Sequence, residues 1–194
     1  MNEKTKNTIL STINRHKDLV EKLISENTQT IADAAQLITD SLNKSGTVYL
    51  CGNGGSAADA QHIAGEFLGR FKRERSAIPA VALSTDTSVI TCIANDYDYQ
   101  SIFSRQLQGL AKPNDLLWAI STSGNSENVV KAAQLVKSKN AFVLAFTGKP
   151  DSKLQQIADV CLCADTPDTA SCQEIHQLAY HIICDLVEEN FADK

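Results

Sequence analysis

Apolar residues recur at helical spacing through the first 45 residues, as Ile9, Ile13, Val20 and Ile24 and then Ile31, Ala35, Ile38 and Leu42. Asn27 or Thr28, between the two sets, has the chemistry of an N-cap, so the pattern predicts a helical hairpin over residues 1–45. From residue 47 the pattern switches to short apolar runs, each closed by small polar residues and followed by a helical stretch. Runs at 47–51, 80–83, 116–120, 142–146 and 160–163 predict five buried parallel strands. Because they lack polar alternation, the sheet must be covered by helices on both faces, which gives a three-layer, doubly wound, five-stranded parallel α/β fold. A last helix over 170–190 presents Ile175, Leu178, Ala179, Ile182 and Leu186 as its apolar stripe. The hairpin either packs on its own sheet or offers an apolar face to a partner subunit.

With 194 residues and 43% apolar content the chain can bury one core, so a single domain over 1–194 is expected. A net charge of -5 argues against a nucleic-acid footprint. The basic cluster Arg70, Lys72, Arg73 and Arg75 is short, is interrupted by Glu74, and is expected to be a solvated loop. The polar amino terminus does not resemble a signal peptide, and no apolar run approaches the ~18 residues of a membrane span, so a soluble cytoplasmic protein is expected. Cys51, Cys92, Cys161, Cys163, Cys172 and Cys184 are expected to be reduced core residues, because the spacing Cys161-x-Cys163 lacks the paired CxxC of structural zinc.

Two small-residue turns carry the candidate chemistry: CGNGGS at 51–56 and STSGNS at 121–126, each between a predicted strand and a predicted helix. Ligands of open α/β sheets bind at such turns, where helix amides and the positive end of the helix dipole attract anions. Gly52, Gly54 and Gly55 allow close backbone approach, while Asn53 and Ser56 supply polar groups. Ser121, Thr122, Ser123 and Ser126 offer four hydroxyls, a match for phosphate oxygens. The first turn also fits GxGxxA, yet the acid that a dinucleotide site needs about 20 residues on is missing, the nearest at a strand end being Asp86. A P-loop is absent.

His62 and Glu66 stand four apart on one face of the helix after the first turn, an arrangement that serves either a site or a surface pair. In the last helix Gln173 lies near the amino end, and His181 lies about 12 Å further along the axis. His181 sits in an apolar stretch, either as a satisfied core imidazole or as a tuned catalytic group.

The segments CGNGGSAADAQHIAGEFLGRF, ANDYDYQSIFSRQL, ISTSGNSENVVKA and QEIHQLAYH together resemble the phosphoheptose isomerase family of sugar isomerase (SIS) domains, over nearly the whole chain. The resemblance implies a flavodoxin-like SIS fold. It further implies conversion of sedoheptulose 7-phosphate to D-glycero-D-manno-heptose 7-phosphate, on the route to the heptose of lipopolysaccharide or capsule. By position it makes Glu66 the catalytic base and His181 the catalytic acid. It makes Asn53, Gly54, Gly55, Ser56, His62, Glu66, Asn95, Asp96, Ser121, Thr122, Ser123, Ser126 and Gln173 substrate contacts, and His62, Glu66, Gln173 and His181 ligands of a zinc ion. It implies a homotetramer with active sites between subunits. Ser171 stands where members often carry an Arg, two positions before Gln173. A rival in the same fold is a non-catalytic SIS module that binds a replication initiator protein, in which residues matching Glu66 and His181 are not titratable. Another is an SIS isomerase of hexulose or amino-sugar phosphates, which predicts the turns but not QEIHxxxxH.

Overall fold

The computed structural model describes residues 1–192. The chain runs α1 (Glu3–Asn43), β1 (Val48–Cys51), α2 (Gly55–Leu68), β2 (Ala80–Ala82), α3 (Thr87–Asp96), a 3-10 turn (Tyr99–Ser101) and α4 (Ser104–Leu110). It continues with β3 (Leu116–Ser121), α5 (Glu127–Ser138), β4 (Phe142–Thr147), α6 (Lys153–Ile157), β5 (Val160–Cys163) and α7 (Thr169–Phe191). Among the described residues the strands form one parallel five-stranded sheet in the order β2-β1-β3-β4-β5. Each predicted strand is present, with ends displaced by about one residue.

Two apolar clusters lie on opposite faces of the sheet. On one face Leu50, Trp118 and Phe146 pack with Ile38 of α1, Ile63 and Phe67 of α2, and Ile175 and Ile183 of α7. On the other Tyr49, Leu117 and Val143 pack with Ile93 of α3, Leu107 of α4, Val129 and Ala133 of α5, and Leu154 of α6. Alternate strand residues point to opposite faces, so both clusters are built from the same strands and the three-layer expectation holds.

The amino-terminal hairpin is corrected. Residues 3–43 form one continuous helix of 41 residues. No Gly or Pro interrupts it. Thr28 does not cap a second helix, because its hydroxyl donates back to the Ile24 carbonyl at 2.7 Å, and Asn27 is buried against the body. The carboxyl-terminal half of α1 buries Leu23, Ile31, Ala34 and Ile38, whereas Ile9, Leu10 and Ile13 on its amino-terminal half are exposed.

The stripe assigned to the last helix is also displaced. Leu178, Ile182 and Leu186 are exposed, and α7 instead buries Cys172, Ile175, His176, Ala179, Tyr180, Ile183, Cys184 and Val187. Cys92 departs from the core expectation too, since it lies exposed on α3; all six cysteines are free.

The basic cluster is no solvated loop. Glu188 of α7, 1% exposed, accepts the backbone N–H groups of Phe71, Lys72 and Arg73 at 2.8, 2.7 and 2.9 Å. It also pairs with the buried Arg75 guanidinium at 3.4 Å. Arg75 in turn donates to the carbonyls of Glu66, Phe67 and Gly69 at 2.7, 2.8 and 3.1 Å, closing the carboxyl end of α2, where a cation also meets the negative end of the dipole. Burial pushes the Glu188 carboxyl up, but the three amides and Arg75 outweigh it and hold the group below its ordinary value.

His176 is fully buried between α7 and the sheet, its Nε2 standing 3.0 Å from the Thr147 carbonyl and donating to it. Burial lowers its pKa from 6.5 to about 4, because the cation cannot be solvated there. The unfolded chain then binds more protons than the folded one between pH 6.5 and 4. Stability from the neutral ring is full above about pH 6.5 and falls as pH drops toward 4, by about 3 kcal/mol. Urea unfolding at pH 7.5, 5.5 and 4.5 should show that loss, and His176→Gln should show a shallower slope over the same interval.

Candidate active site

The order β2-β1-β3-β4-β5 reverses direction between β1 and β3, so chain leaving these two adjacent strands goes to opposite sides and opens a crevice at their carboxyl ends. Cys51 pairs with Ala119, which sets CGNGGS and STSGNS side by side at that crevice. Asn53, Gly54, Gly55, Ser56, Ser121, Thr122, Ser126, Thr169 and Gln173 line a cavity of about 310 Å³.

The local structure follows the ligand chemistry expected of the turns. Of the helices that directly follow a strand, α3, α6 and α7 are capped by the side chains of Asp86, Ser152 and Asp168. The N-cap residues of α2 and α5, Gly54 and Ser126, make no side-chain cap, so these helix starts face the cavity without one. Gly54 takes φ +56°, a conformation open to glycine. A Cβ on Gly55 would come within 2.5 Å of the Gln173 amide, so a side chain there would displace Gln173 from the cavity wall. Ser121 donates to Ser126 Oγ at 3.0 Å and lies 3.3 Å from Ser123 Oγ, so three of the four hydroxyls form one cluster.

A second group lies between α2 and α7. One ligand atom each from His62, Glu66 and His181 falls within 4.8 Å of the others. His62 Nε2 is 2.9 Å from Glu66 Oε1 and its Nδ1 is 3.0 Å from the Tyr180 hydroxyl. His62 thus links the Tyr180 hydroxyl to Glu66 Oε1 and leaves Glu66 Oε2 outside this pair. The His181 ring stacks on Phe71, with centroids 5.6 Å apart and planes 12° from parallel, and meets His62 edge-on at 5.1 Å. The Glu188 anchor of residues 71–73 therefore holds one wall of this group. Burial first, then the charges of His62 and Lys72, lower the His181 pKa from 6.5, with Glu66 opposing, so the ring is neutral near pH 7.

Two imidazoles and a carboxylate at this spacing form a donor set for a divalent metal, and a neutral His181 is the form that ligates. Gln173, expected as a fourth ligand, stands about 12 Å back along α7 from His181, with its amide against Gly55 in the neighbouring cavity. Asn95 and Asp96 end α3 exposed, bonded to each other at 2.9 Å, and are not among the residues lining the cavity. Ser171 is buried in the first turn of α7, where its N–H donates to Asp168 at 2.8 Å.

Three further residues escaped the sequence reading. Asp59 shares the α2 face of His62 and Glu66, a spacing that was legible; burial raises its carboxyl, with His62 and the Tyr180 hydroxyl opposing. Tyr180 adjoins His181, but its bond to His62 crosses between helices and left no local signal. Asn128, within the polar run that opens α5, is buried and bonded to Asn53.

The family model of the SIS domain matches residues 13–148. The phosphoheptose isomerase of Helicobacter hepaticus is 45% identical over 180 residues, 93% of this chain and 91% of that protein. The structure of phosphoheptose isomerase from Neisseria gonorrhoeae superposes with a TM-score of 0.90 at 36% identity, covering 95% of this chain and 99% of that one. That of a phosphoheptose isomerase from Francisella tularensis gives 0.92 at 32% identity, over 97% and 100% of the two chains.

Proposed function

Since the chain belongs to the phosphoheptose isomerase family of SIS-domain proteins, we propose that it converts sedoheptulose 7-phosphate to D-glycero-D-manno-heptose 7-phosphate. The observation that carries this reading is the approach of Glu66 and His181 beside a hydroxyl-lined cavity at the sheet's switch point. The phosphate sits at Ser121, Thr122, Ser123 and Ser126 and at the open amides of α5, with Asn53, Gly54, Gly55, Ser56 and Gln173 around the sugar. An extended heptulose 7-phosphate spans roughly 9 Å from C1 to phosphorus, judged by a backbone of as many bonds, comparable with the ~12 Å between Gln173 and His181 along α7.

Glu66 removes a proton from C1 while His181 delivers one to the C2 oxygen, giving the enediol. Glu66 then returns its proton to C2 as His181 takes the proton of the C1 oxygen, which leaves the aldose. His62, held by Tyr180, orients one oxygen of Glu66 and leaves the other to the substrate. Fixing the phosphate makes each transfer intramolecular, and general acid-base help contributes roughly 10²- to 10⁴-fold. His62, Glu66 and His181, with Gln173 as the fourth ligand of the family pattern, would hold zinc, which when bound supplies Lewis-acid polarisation of the substrate carbonyl.

The whole chain is one SIS domain in this reading, and it works in the cytoplasm on heptose for lipopolysaccharide or capsule. Among the described residues no helix is long and apolar enough to cross a membrane. The chain assembles as a homotetramer through the exposed apolar side chains of α1 (Ile9, Leu10, Ile13) and α7 (Leu178, Ile182). Exposed Asn95 and Asp96 suit a site completed by a neighbouring subunit.

Glu66→Gln should lower turnover of sedoheptulose 7-phosphate by about 10³-fold while leaving its Kd within a few-fold. Full activity of that variant, or faster turnover of a hexulose phosphate by the wild type, overturns the reading. Dialysis against a chelator should lower activity and remove about one zinc per chain, and zinc should restore both. Light scattering should give four chain masses, and Ile13→Asp with Leu178→Asp should reduce that number.

A further inference from the structure

Asn53 and Asn128 face each other across the two turns and exchange both amide hydrogen bonds: Asn53 Nδ2 donates to Asn128 Oδ1 at 3.0 Å and Asn128 Nδ2 donates to Asn53 Oδ1 at 2.8 Å. Such a pair has two orientations, related by flipping both amides together, and its own bonds do not choose between them. Its surroundings do. The Val129 backbone N–H, shared with the Ser126 carbonyl, also donates to Asn128 Oδ1 at 3.0 Å. A backbone N–H can only donate, so an Asn128 flipped to place its NH₂ there would set donor against donor. The first turn of α5 therefore fixes Asn128, and Asn128 fixes Asn53.

Counting the Asn53 amide gives the consequence. Its oxygen accepts from Asn128 Nδ2 and from the Tyr99 hydroxyl, the latter at 3.0 Å, so both acceptor positions are filled. One of its two N–H bonds is given to Asn128. What remains is a single N–H, on a residue that lines the cavity. We infer that Asn128, with Tyr99, is a positioning residue that locks Asn53 so that it offers the bound ligand a hydrogen-bond donor and no acceptor. The group met by Asn53 is then an acceptor oxygen of the sugar phosphate, a phosphoryl oxygen or a hydroxyl accepting through its lone pair. The inference rests on the cavity being the sugar phosphate site, and it adds how the two turns are made to act as one. Tyr99 is exposed, in the 3-10 turn between α3 and α4.

The test is a double-mutant cycle on binding of sedoheptulose 7-phosphate by calorimetry, joined to amide-proton exchange of the Asn53 side chain by NMR without ligand. Asn128→Leu should raise Kd about tenfold and Tyr99→Phe about threefold, and in an Asn53→Ala background each should change Kd by less than twofold. Penalties that persist in that background, or an unchanged Kd in both single variants, overturn the inference. Should Asn128→Leu fail to fold, Tyr99→Phe at an exposed position carries the same comparison. In the free wild-type protein one Asn53 side-chain proton should exchange slowly and the other fast, and Tyr99→Phe should accelerate the slow one; two equally fast protons overturn the lock. A wild type that shows the slow proton yet binds no sugar phosphate sinks the functional reading and leaves the lock standing.

Discussion

The parallel pairing of β1 with β3, Cys51 opposite Ala119, is the constraint on which the site depends. These strands are far apart in sequence and adjacent in the sheet only because the chain crosses from β2 back past β1 before laying down β3. Their carboxyl ends then diverge to helices on opposite faces, leaving a gap that neither helix fills. Backbone N–H groups at α2 and α5 open onto that gap without side-chain caps, unlike those of α3, α6 and α7. The fold thus brings two helix starts without side-chain caps to a crevice where their amides can meet an anionic ligand.

Around that crevice α7 acts as a ruler. Its first turn sets Gln173 in the cavity wall, its middle sets Tyr180 and His181 against His62, and its end sets Glu188 under residues 71–73. The last of these contacts looks remote from chemistry, yet it fixes Phe71, on which the His181 ring stacks. The buried Arg75–Glu188 pair closes the carboxyl end of α2 and so steadies the helix that carries His62 and Glu66. Polar groups of this kind are costly to bury unless they find partners, and here backbone amides and carbonyls supply most of them, beside the Arg75–Glu188 pair itself.

A neutral, half-buried His181 and a Glu66 paired with one nitrogen of His62 give the two halves of proton-transfer chemistry different environments within a few ångströms. His176, one turn earlier on α7, has the same residue type and no such role. It is walled in against Phe146 and the Thr147 carbonyl, where burial keeps it uncharged. The residue that looked ambiguous in the sequence was His181, and the imidazole that proved to be the core one was its neighbour a turn away.

The sequence by itself determined the class of fold and the two turns, because unalternated apolar runs followed by glycines and hydroxyls are local signals of buried parallel strands ending at helix starts. It also placed His62 and Glu66 on one helix face, since their spacing is local, and the family resemblance added Glu66 and His181 as a pair. Only the tertiary structure decided that the first 41 helical residues are one helix, because Asn27 and Thr28 cap only if the chain turns, and α7 and β5 instead give a straight α1 a surface to lie on. It decided that Arg75 is buried, that α7 turns Leu178 and Ile182 outward, and that the Gln173 amide stands against Gly55 in the cavity wall. Each of these depends on contacts between residues distant in the chain, and periodicity carries no record of which partner a face will meet.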